Sequence, residues 1–172
     1  MDESSFWGTV DSCTQHGDPA SREKALVAKL KELPIDEILG FEHCWSSVKN
    51  RAYRADLWGA AYVLNGGCSD DGFVDFRTWL ILQGQAFFDQ ALADPDYLAE
   101  LLPPGGDEFS HECYPAVTAY EAVTGQKPAR FYEVYAARFG RAPHLELVGE
   151  LWDFDDEEET RKRLPRLAAR CL

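Results

Sequence analysis

Long apolar runs are missing from this sequence. No stretch reaches the roughly 18 apolar residues that a transmembrane helix requires, so we expect no membrane span. The first ten residues, MDESSFWGTV, are acidic and contain neither the basic nor the apolar region of a secretory signal. We therefore expect a cytoplasmic protein with no membrane partner.

Positive charge is also scarce. The 172 residues include 17 Lys and Arg against 30 Asp and Glu, which gives a formal net charge of −13. Such a surface repels the phosphate backbone of nucleic acids, and the only basic cluster, residues 161–163, comes shortly after the acidic run DFDDEEE. We therefore predict no nucleic-acid partner. The same charge favours a basic peptide or protein segment as a partner.

Paired cysteines are absent as well. The five cysteines, at positions 13, 44, 68, 113 and 171, form no CxxC pair, which suits reduced thiols better than a disulfide framework. His43 with Cys44, and the triplet His111-Glu112-Cys113, contain metal-ligand types. Neither group has a recognised ligand spacing, and adjacent helical residues point in different directions. We therefore predict no metal site and no cofactor.

Helical periodicity dominates what is present. Hydrophobic residues make up 45% of the chain, which excludes a disordered protein, and the length suits a single domain over residues 1–172. The apolar spacing predicts an all-α fold, a compact irregular bundle of about seven or eight helices without significant sheet. The fifth helix is predicted to run unbroken from Ser69 to the stop at Asp94-Pro95. Later helices are predicted from Glu108 to about Thr124 and from near Asp155.

Two segments remain ambiguous or irregular. PARFYEVYAARF, residues 128–139, suits a helix, but its aromatic residues also suit a strand. PPGGDE, residues 103–108, is the clearest loop signal in the chain.

The segment GGCSDDGFVDFRTWL, residues 66–80, has a structural and a chemical interpretation. As structure, the glycines end one helix, Ser69 caps the next, and Asp70 and Asp71 lie in its first turn, where the helix dipole favours negative charge. As chemistry, Cys68 precedes a helix N-terminus, which lowers the pKa of a thiol. With His43 nearby as a base, Cys68 would be a nucleophile.

Three charged residues fall on helix faces that the pattern predicts to be buried: Glu42, Asp56 and Arg77. An unpaired buried charge costs several kcal/mol. The first interpretation is therefore an internal ion pair of Arg77 with Glu42 or Asp56. The alternative leaves Arg77 partly free to hold an anionic ligand with its forked donors.

Aromatic residues are numerous, and most suit a helical core. Trp79 is the exception because it projects away from the apolar stripe of its helix, so that a second helix, a cleft or a partner has to cover it. Together these arguments give a set of candidate ligand-binding residues: Arg77, Asp71, Asp70, Cys68, Trp79, Trp58, Tyr62, Glu42 and His43.

The stretch RAYRADLWGAAYVLNGGCSDDGFVDFRTWLILQGQAFFDQALADPDYLAE, residues 51–100, resembles a bacterial family known as domain of unknown function 4240. The resemblance extends to FW and FEHCW before it and to LWDFDDEEETRKRLPRL after it. The resemblance implies a compact, mainly helical protein and no particular reaction. The motif positions that match are Trp45, Tyr53, Trp58, Tyr62, Gly66, Gly67, Cys68, Ser69, Asp70, Asp71, Phe73, Phe76, Arg77 and Trp79.

Three hypotheses on function follow. The first is a non-enzymatic binding or regulatory module with an acidic surface and an aromatic, arginine-containing pocket. The second is a small enzyme acting on an anionic small molecule or peptide. In this enzyme Arg77 would anchor the substrate, and its acid, base or nucleophile would come from Glu42, Asp71, His43 or Cys68. The third gives the GGCSDDGF motif a purely structural role.

Overall fold

The computed structural model describes residues 1–102, 109–141 and 145–172. The all-α prediction is confirmed, because the only β pairing within these ranges is an isolated bridge between Arg54 and Val148. In the same ranges there are eleven α-helices, and none is long and apolar enough to cross a membrane. They are α1 Glu3–Asp11, α2 Pro19–Leu30, α3 Ile35–Arg51, α4 Ala55–Asn65, α5 Asp70–Leu82, α6 Gln85–Ala93, α7 Leu98–Leu101, α8 Pro115–Thr124, α9 Pro128–Phe139, α10 Glu157–Arg163 and α11 Pro165–Cys171.

The predicted number of seven or eight helices is wrong, since predicted helices are divided. The predicted fifth helix breaks at Gly84, whose φ of 96° lies in the left-handed region and whose Cα faces Asp11 of α1 too closely for a side chain. Pro165 separates α10 from α11. A short 3₁₀ turn, Pro95–Tyr97, precedes α7.

One predicted helix begins later than expected. Helix α8 starts at Pro115, and residues 109–114 before it are not helical. Glu108, the predicted start, and the predicted loop 103–108 lie outside the described residues. The helical interpretation of residues 128–139 is confirmed by α9.

The predicted helix ends around the GGCSDDGF motif are confirmed. Gly66 ends α4 with a left-handed φ of 65°. The Ser69 hydroxyl oxygen accepts a hydrogen bond from the Gly72 amide at 3.1 Å and so caps α5. The Asp18 carboxylate caps α2 in the same way, through the Ser21 amide at 2.9 Å.

Helix α3 contributes buried residues to the hydrophobic core. Its apolar face packs with α1, where the Phe6 ring lies 4.9 Å from that of Phe41 and 6.3 Å from that of Trp45. Helix α9 is peripheral: among its residues, Phe131 alone is buried. Because α9 buries so little of its surface, it lies beside α3 without packing closely against it.

Arg166 connects helix α11 to the stretch that runs from the end of α6 into α7. Arg166 forms ion pairs with Asp94, with Asp96 at 3.0 Å and with Glu100 at 3.0 Å. Asp96 also accepts the amide of Leu167 at 2.9 Å, so that a side chain distant in sequence caps the start of α11. These contacts fix the C-terminal helices on the rest of the fold.

Candidate functional site

An opening lined by polar, charged and aromatic residues lies between α3 and α9, and we call it the α3–α9 cleft. Its volume is about 450 Å³, which falls in the range of about 300–1,000 Å³ that small-ligand sites occupy. Helix α3 contributes polar and charged residues, and α9 contributes two tyrosines. The lining residues are Glu42, His43, Ser46, Ser47, Asn50, Tyr132, Tyr135, Ala136, Gly140 and Arg141.

Side-chain bridges hold α9 beside α3. Asp36 of α3 and Arg138 of α9 form an ion pair at 2.6 Å. The His43 ring stacks on that of Phe139, with centroids 4.4 Å apart and planes 12° from parallel. His43 Nδ1 also lies 3.3 Å from the Tyr135 hydroxyl. The two helices are thus connected through side-chain tips, which leaves room between their axes.

Glu42 is the charged centre of the cleft. Its carboxylate accepts a hydrogen bond from the Ser46 hydroxyl at 3.0 Å and forms no ion pair with any described residue. Burial raises the pKa of Glu42, and this effect outweighs the Ser46 hydrogen bond and the charge of Lys49, which lower it. Burial likewise lowers the pKa of Lys49, which the charge of Glu42 only partly offsets. Lys49 thus influences the Glu42 carboxylate through its charge without forming an ion pair with it.

Two phenol groups face this carboxylate. Burial raises the pKa of Tyr132 and of Tyr135, and the negative charge of Glu42 raises both further. Both hydroxyls therefore keep their protons at neutral pH and remain hydrogen-bond donors. Their rings provide electron-rich faces next to an acid, which is an arrangement that suits a positively charged group.

Arg77 lies at a separate, smaller opening of about 220 Å³ at the start of α5, which we call the α5 cleft. Its side chain is only 5% exposed, and burial lowers its pKa. The Arg77 guanidinium donates to the carbonyls of Phe73 and Lys49, each at 3.3 Å. It also lies 4.8 Å from the centre of the Tyr53 ring and 4.9 Å from that of Phe73.

The predicted ion pair of Arg77 with Glu42 or Asp56 is therefore wrong. Asp56 pairs instead with Arg54, whose Nε lies 3.0 Å from its carboxylate. The buried guanidinium is surrounded by groups of negative electrostatic potential. These are two carbonyl oxygens, one of them in the last turn of α3, and the faces of two aromatic rings. A carboxylate is therefore not needed to hold it there.

Asp70, Asp71 and Trp58 also line the α5 cleft. The indole of Trp58 stacks on Phe73 at 5.0 Å and donates to the carbonyl of Cys68 at 3.0 Å. Neither cleft is lined by Cys68 itself.

The last two candidates are engaged elsewhere. The Tyr62 hydroxyl donates to Asp155 at 2.5 Å, and this hydrogen bond raises its pKa. Trp79 is buried, with the rings of Phe109 at 5.2 Å and Phe87 at 5.9 Å, so side chains of this chain provide the cover that it needed. The candidate set is thus distributed over several places.

The α9 residues of the α3–α9 cleft, among them Tyr132 and Tyr135, were not identified as candidates from the sequence. Tyr135 stands between Phe131 and Phe139 at the spacing of one helical stripe, and this pattern was visible. Nothing in the pattern placed that stripe beside Glu42 and His43. The contact between His43 and Tyr135 joins positions that are 92 residues apart in the chain.

A third group of side chains, of types that bind metal ions in proteins, lies next to α2. This group contains Glu23 of α2 together with His111 and Cys113 from the segment before α8. Their possible ligand atoms lie within 4.8 Å of one another. His111 Nε2 lies 2.8 Å from the Glu23 carboxylate. Burial raises the pKa of Cys113, and the nearby charge of Glu23 adds to this shift. Glu23 had not been a candidate for any site.

The sequence model of a family described as "Protein of unknown function (DUF4240)" matches residues 1–133, which is most of the chain, and the chain belongs to this family. The closing segment LWDFDDEEETRKRLPRL, which had contributed to the resemblance, lies beyond the match. No curated protein and no solved structure matches the chain. The family match includes all of α3 and ends within α9, so it covers only part of the α3–α9 cleft.

Proposed function

Starting from membership of a family whose description assigns no activity, we propose that this protein is a non-enzymatic binding module. Its binding site is the α3–α9 cleft, and its ligand carries a basic group. The observation that carries this proposal is the half-buried Glu42 carboxylate, which has Ser46 as its hydrogen-bond donor and no cationic partner among the described residues.

A cationic nitrogen fits this cleft on two grounds. It would form with Glu42 the charge-assisted contact that the burial of an unpaired carboxylate calls for. It would also lie against the rings of Tyr132 and Tyr135, where a cation–π contact contributes about 0.5–2 kcal/mol. Both lysine ammonium and arginine guanidinium groups meet these requirements.

The surface charge favours the same class of ligand. A net charge of −13 attracts cations over distances comparable with the Debye length, about 8 Å at physiological ionic strength. We therefore infer that the ligand is a basic side chain presented by a peptide or protein segment. Added salt weakens such binding, since it screens the long-range part of the attraction.

The enzyme alternative has less support. Its proposed groups are divided, with Glu42 and His43 at the α3–α9 cleft and Arg77 at the α5 cleft. The anionic substrate that Arg77 would hold would also meet the carboxylates of Asp70 and Asp71 at the same opening, and like charges repel.

Titration of the full chain with N-acetyl-arginine amide and N-acetyl-lysine amide, followed by two-dimensional NMR, tests the proposal. N-acetyl-citrulline amide, which has a similar shape without the charge, is the neutral comparison. We expect the cationic probes to bind, with signals of α3 and α9 shifting. Glu42→Gln should weaken this binding at least about tenfold, or 1.4 kcal/mol.

Glu146→Gln is the matched control, because it removes the same charge from an exposed position outside the cleft lining. Its affinity for the cationic probes should stay close to that of the unmodified protein. Equal binding by Glu42→Gln and Glu146→Gln would refute the proposal, and so would equal binding of the citrulline probe. Binding of free amines but not of basic peptides would identify a small-molecule ligand instead.

A further inference from the structure

We propose that Glu23, His111 and Cys113 form a binding site for a divalent transition metal, and that Zn²⁺ is the ion that fits it best. We refer to these three residues as the Glu23–His111–Cys113 cluster. It lies between α2 and the segment that leads into α8 and shares no residue with the lining of either cleft, and it is independent of the function proposed above.

The donor set has the chemistry of zinc. A carboxylate oxygen, an imidazole nitrogen and a thiolate sulfur are its usual protein ligands, whereas Mg²⁺ and Ca²⁺ take oxygen alone. Three protein ligands of a tetrahedral ion leave one position for water.

The distances suit a small rearrangement. In a tetrahedral zinc site the nitrogen and the oxygen ligand stand about 3.3 Å apart, and the nitrogen and the sulfur about 3.6 Å apart. Here His111 Nε2 is 2.8 Å from the Glu23 carboxylate, and the Cys113 sulfur lies within 4.8 Å of both. Side-chain movements on the order of 1 Å would open the first distance and close the second.

The contact of Glu23 with His111 engages two members of the cluster, and the third, Cys113, belongs to the hydrophobic core. Cys113 is only 6% exposed, and its thiol has no hydrogen-bond partner among the described residues. A structural cysteine is usually surrounded by apolar groups. Cys113 packs in such a core, and its sulfur also lies within 4.8 Å of a carboxylate and an imidazole, which are the partners that a shared metal ion would bind with it.

The backbone holds the cluster in place. The His111 amide donates to the carbonyl of Asp75 in α5 at 3.2 Å, and Pro115 starts α8 two residues after Cys113. Glu23 projects from the 12-residue helix α2, which packs against α8. Two of the three ligands are thus fixed relative to α5 and α8, and the third comes from a rigid neighbour.

Charge and access also favour a cation. The carboxylates of Glu23, Glu42 and Asp75 act on the Cys113 thiol, against the single ammonium group of Lys49. The side chains of Glu23 and His111 are 26% and 20% exposed, so the ion can enter from solvent while the sulfur stays buried.

Metal titration of the full chain tests the site. The reduced protein is freed of metal with a chelator and titrated with Zn²⁺ by calorimetry and with Co²⁺ by absorption. We expect one tightly bound ion per chain and, with Co²⁺, the near-ultraviolet charge-transfer band that a thiolate ligand produces. Cys113→Ser should abolish this band and weaken Zn²⁺ binding at least about tenfold, since even changes beyond the ligand shell commonly cost that much.

The exposed Cys171 provides the matched control, because Cys171→Ser removes a thiol far from the cluster in sequence and leaves the three ligands in place. It should bind Zn²⁺ as the unmodified protein does. Glu23→Gln is a second test at a partly exposed position, where folding is less at risk. It should also bind at least about tenfold more weakly, and Zn²⁺ should raise the melting temperature of the unmodified protein more than that of this variant.

Three results would overturn the site. The first is the absence of Zn²⁺ binding by the unmodified protein. The second is equal affinity in Cys113→Ser and Cys171→Ser, and the third is unchanged affinity in Glu23→Gln. The binding of basic probes by the α3–α9 cleft does not depend on any of these results, so the two proposals fail separately.

Discussion

The ring of Trp152 occupies the space that a side chain at Gly59 would need. A Cβ at this position of α4 would lie 2.3 Å from two carbon atoms of that ring and 3.2 Å from Phe154. We expect Gly59→Ala to displace Trp152 and to lower the free energy of unfolding by about 1–3 kcal/mol, as overpacking commonly does. Urea unfolding followed by tryptophan fluorescence measures the change.

Gly8→Ala is the control for that substitution. Gly8 lies within α1 and is exposed, and a Cβ added to it would meet no atom within 4 Å apart from the neighbouring backbone of its own helix. Because alanine favours helix over glycine, this variant should be more stable than the unmodified protein by up to about 1 kcal/mol. If both variants changed stability in the same direction, the close packing of α4 against Trp152 would be refuted.

Arg77 should not tolerate replacement by lysine. An ammonium group cannot reproduce the planar fork that contacts two carbonyls and stacks between the rings of Tyr53 and Phe73. We expect Arg77→Lys to lower the free energy of unfolding by about 1–3 kcal/mol. Arg51→Lys, at a half-exposed ion pair with Glu3, should change it by less than about 0.5 kcal/mol. Equal effects in denaturant titrations would contradict the distinction.

Asp96 is expected to hold the C-terminal helices in place. Its side chain is only 8% exposed and accepts three hydrogen bonds, two from Arg166 and one from Leu167. Asp96→Asn puts an amide donor where acceptors are needed and should cost about 1–3 kcal/mol. Glu100→Gln changes a half-exposed partner of the same arginine and should cost less than about 1 kcal/mol. Thermal melts of the two variants compare them, and a smaller loss in Asp96→Asn would rule out this role.

Glu42 is expected to make stability depend on pH. Burial raises its pKa in the folded protein above the ordinary value, so the folded state binds the proton more tightly than the unfolded chain. Its contribution is therefore most favourable below the ordinary pKa and is lost as pH rises through the raised pKa. As pH rises through the raised pKa, the free energy of unfolding of Glu42→Gln should therefore increase relative to that of the unmodified protein.

Urea unfolding of both proteins from pH about 4 to about 8 tests this expectation. A stability difference that stays constant over the range would exclude a raised pKa at Glu42. Basic probes should show the matching trend, with affinity for the α3–α9 cleft increasing as Glu42 loses its proton. A gain in stability that accompanies a loss of binding is typical of residues kept for function.

Much of the helix pattern could be predicted, because its signals are local. Asp18 and Ser69 cap their helices through amides three residues later, and Gly66 ends α4 through its own backbone conformation. The break at Gly84 was missed for the opposite reason. Its cause includes the close approach of Asp11, a residue of another helix.

The candidate sites were only partly predictable. Glu42 was chosen because its charge fell on a predicted apolar face, and His43 because it could act as a base for Cys68; both line the α3–α9 cleft. Arg77 was correctly placed among buried residues, but its partners are carbonyls and rings. Helical projection gives the direction of a side chain and does not identify the chemical group that it meets.

Local sequence was sufficient to predict that the described chain is helical and acidic and that Asp18 and Ser69 cap their helices, since each of these depends on composition or on residues a few positions apart. The packing of the whole chain is what places Tyr135 beside His43 and Glu23 beside His111, across 92 and 88 residues respectively. Such long-range contacts result from the combined packing of many helices, which cannot be predicted from any single stretch of sequence.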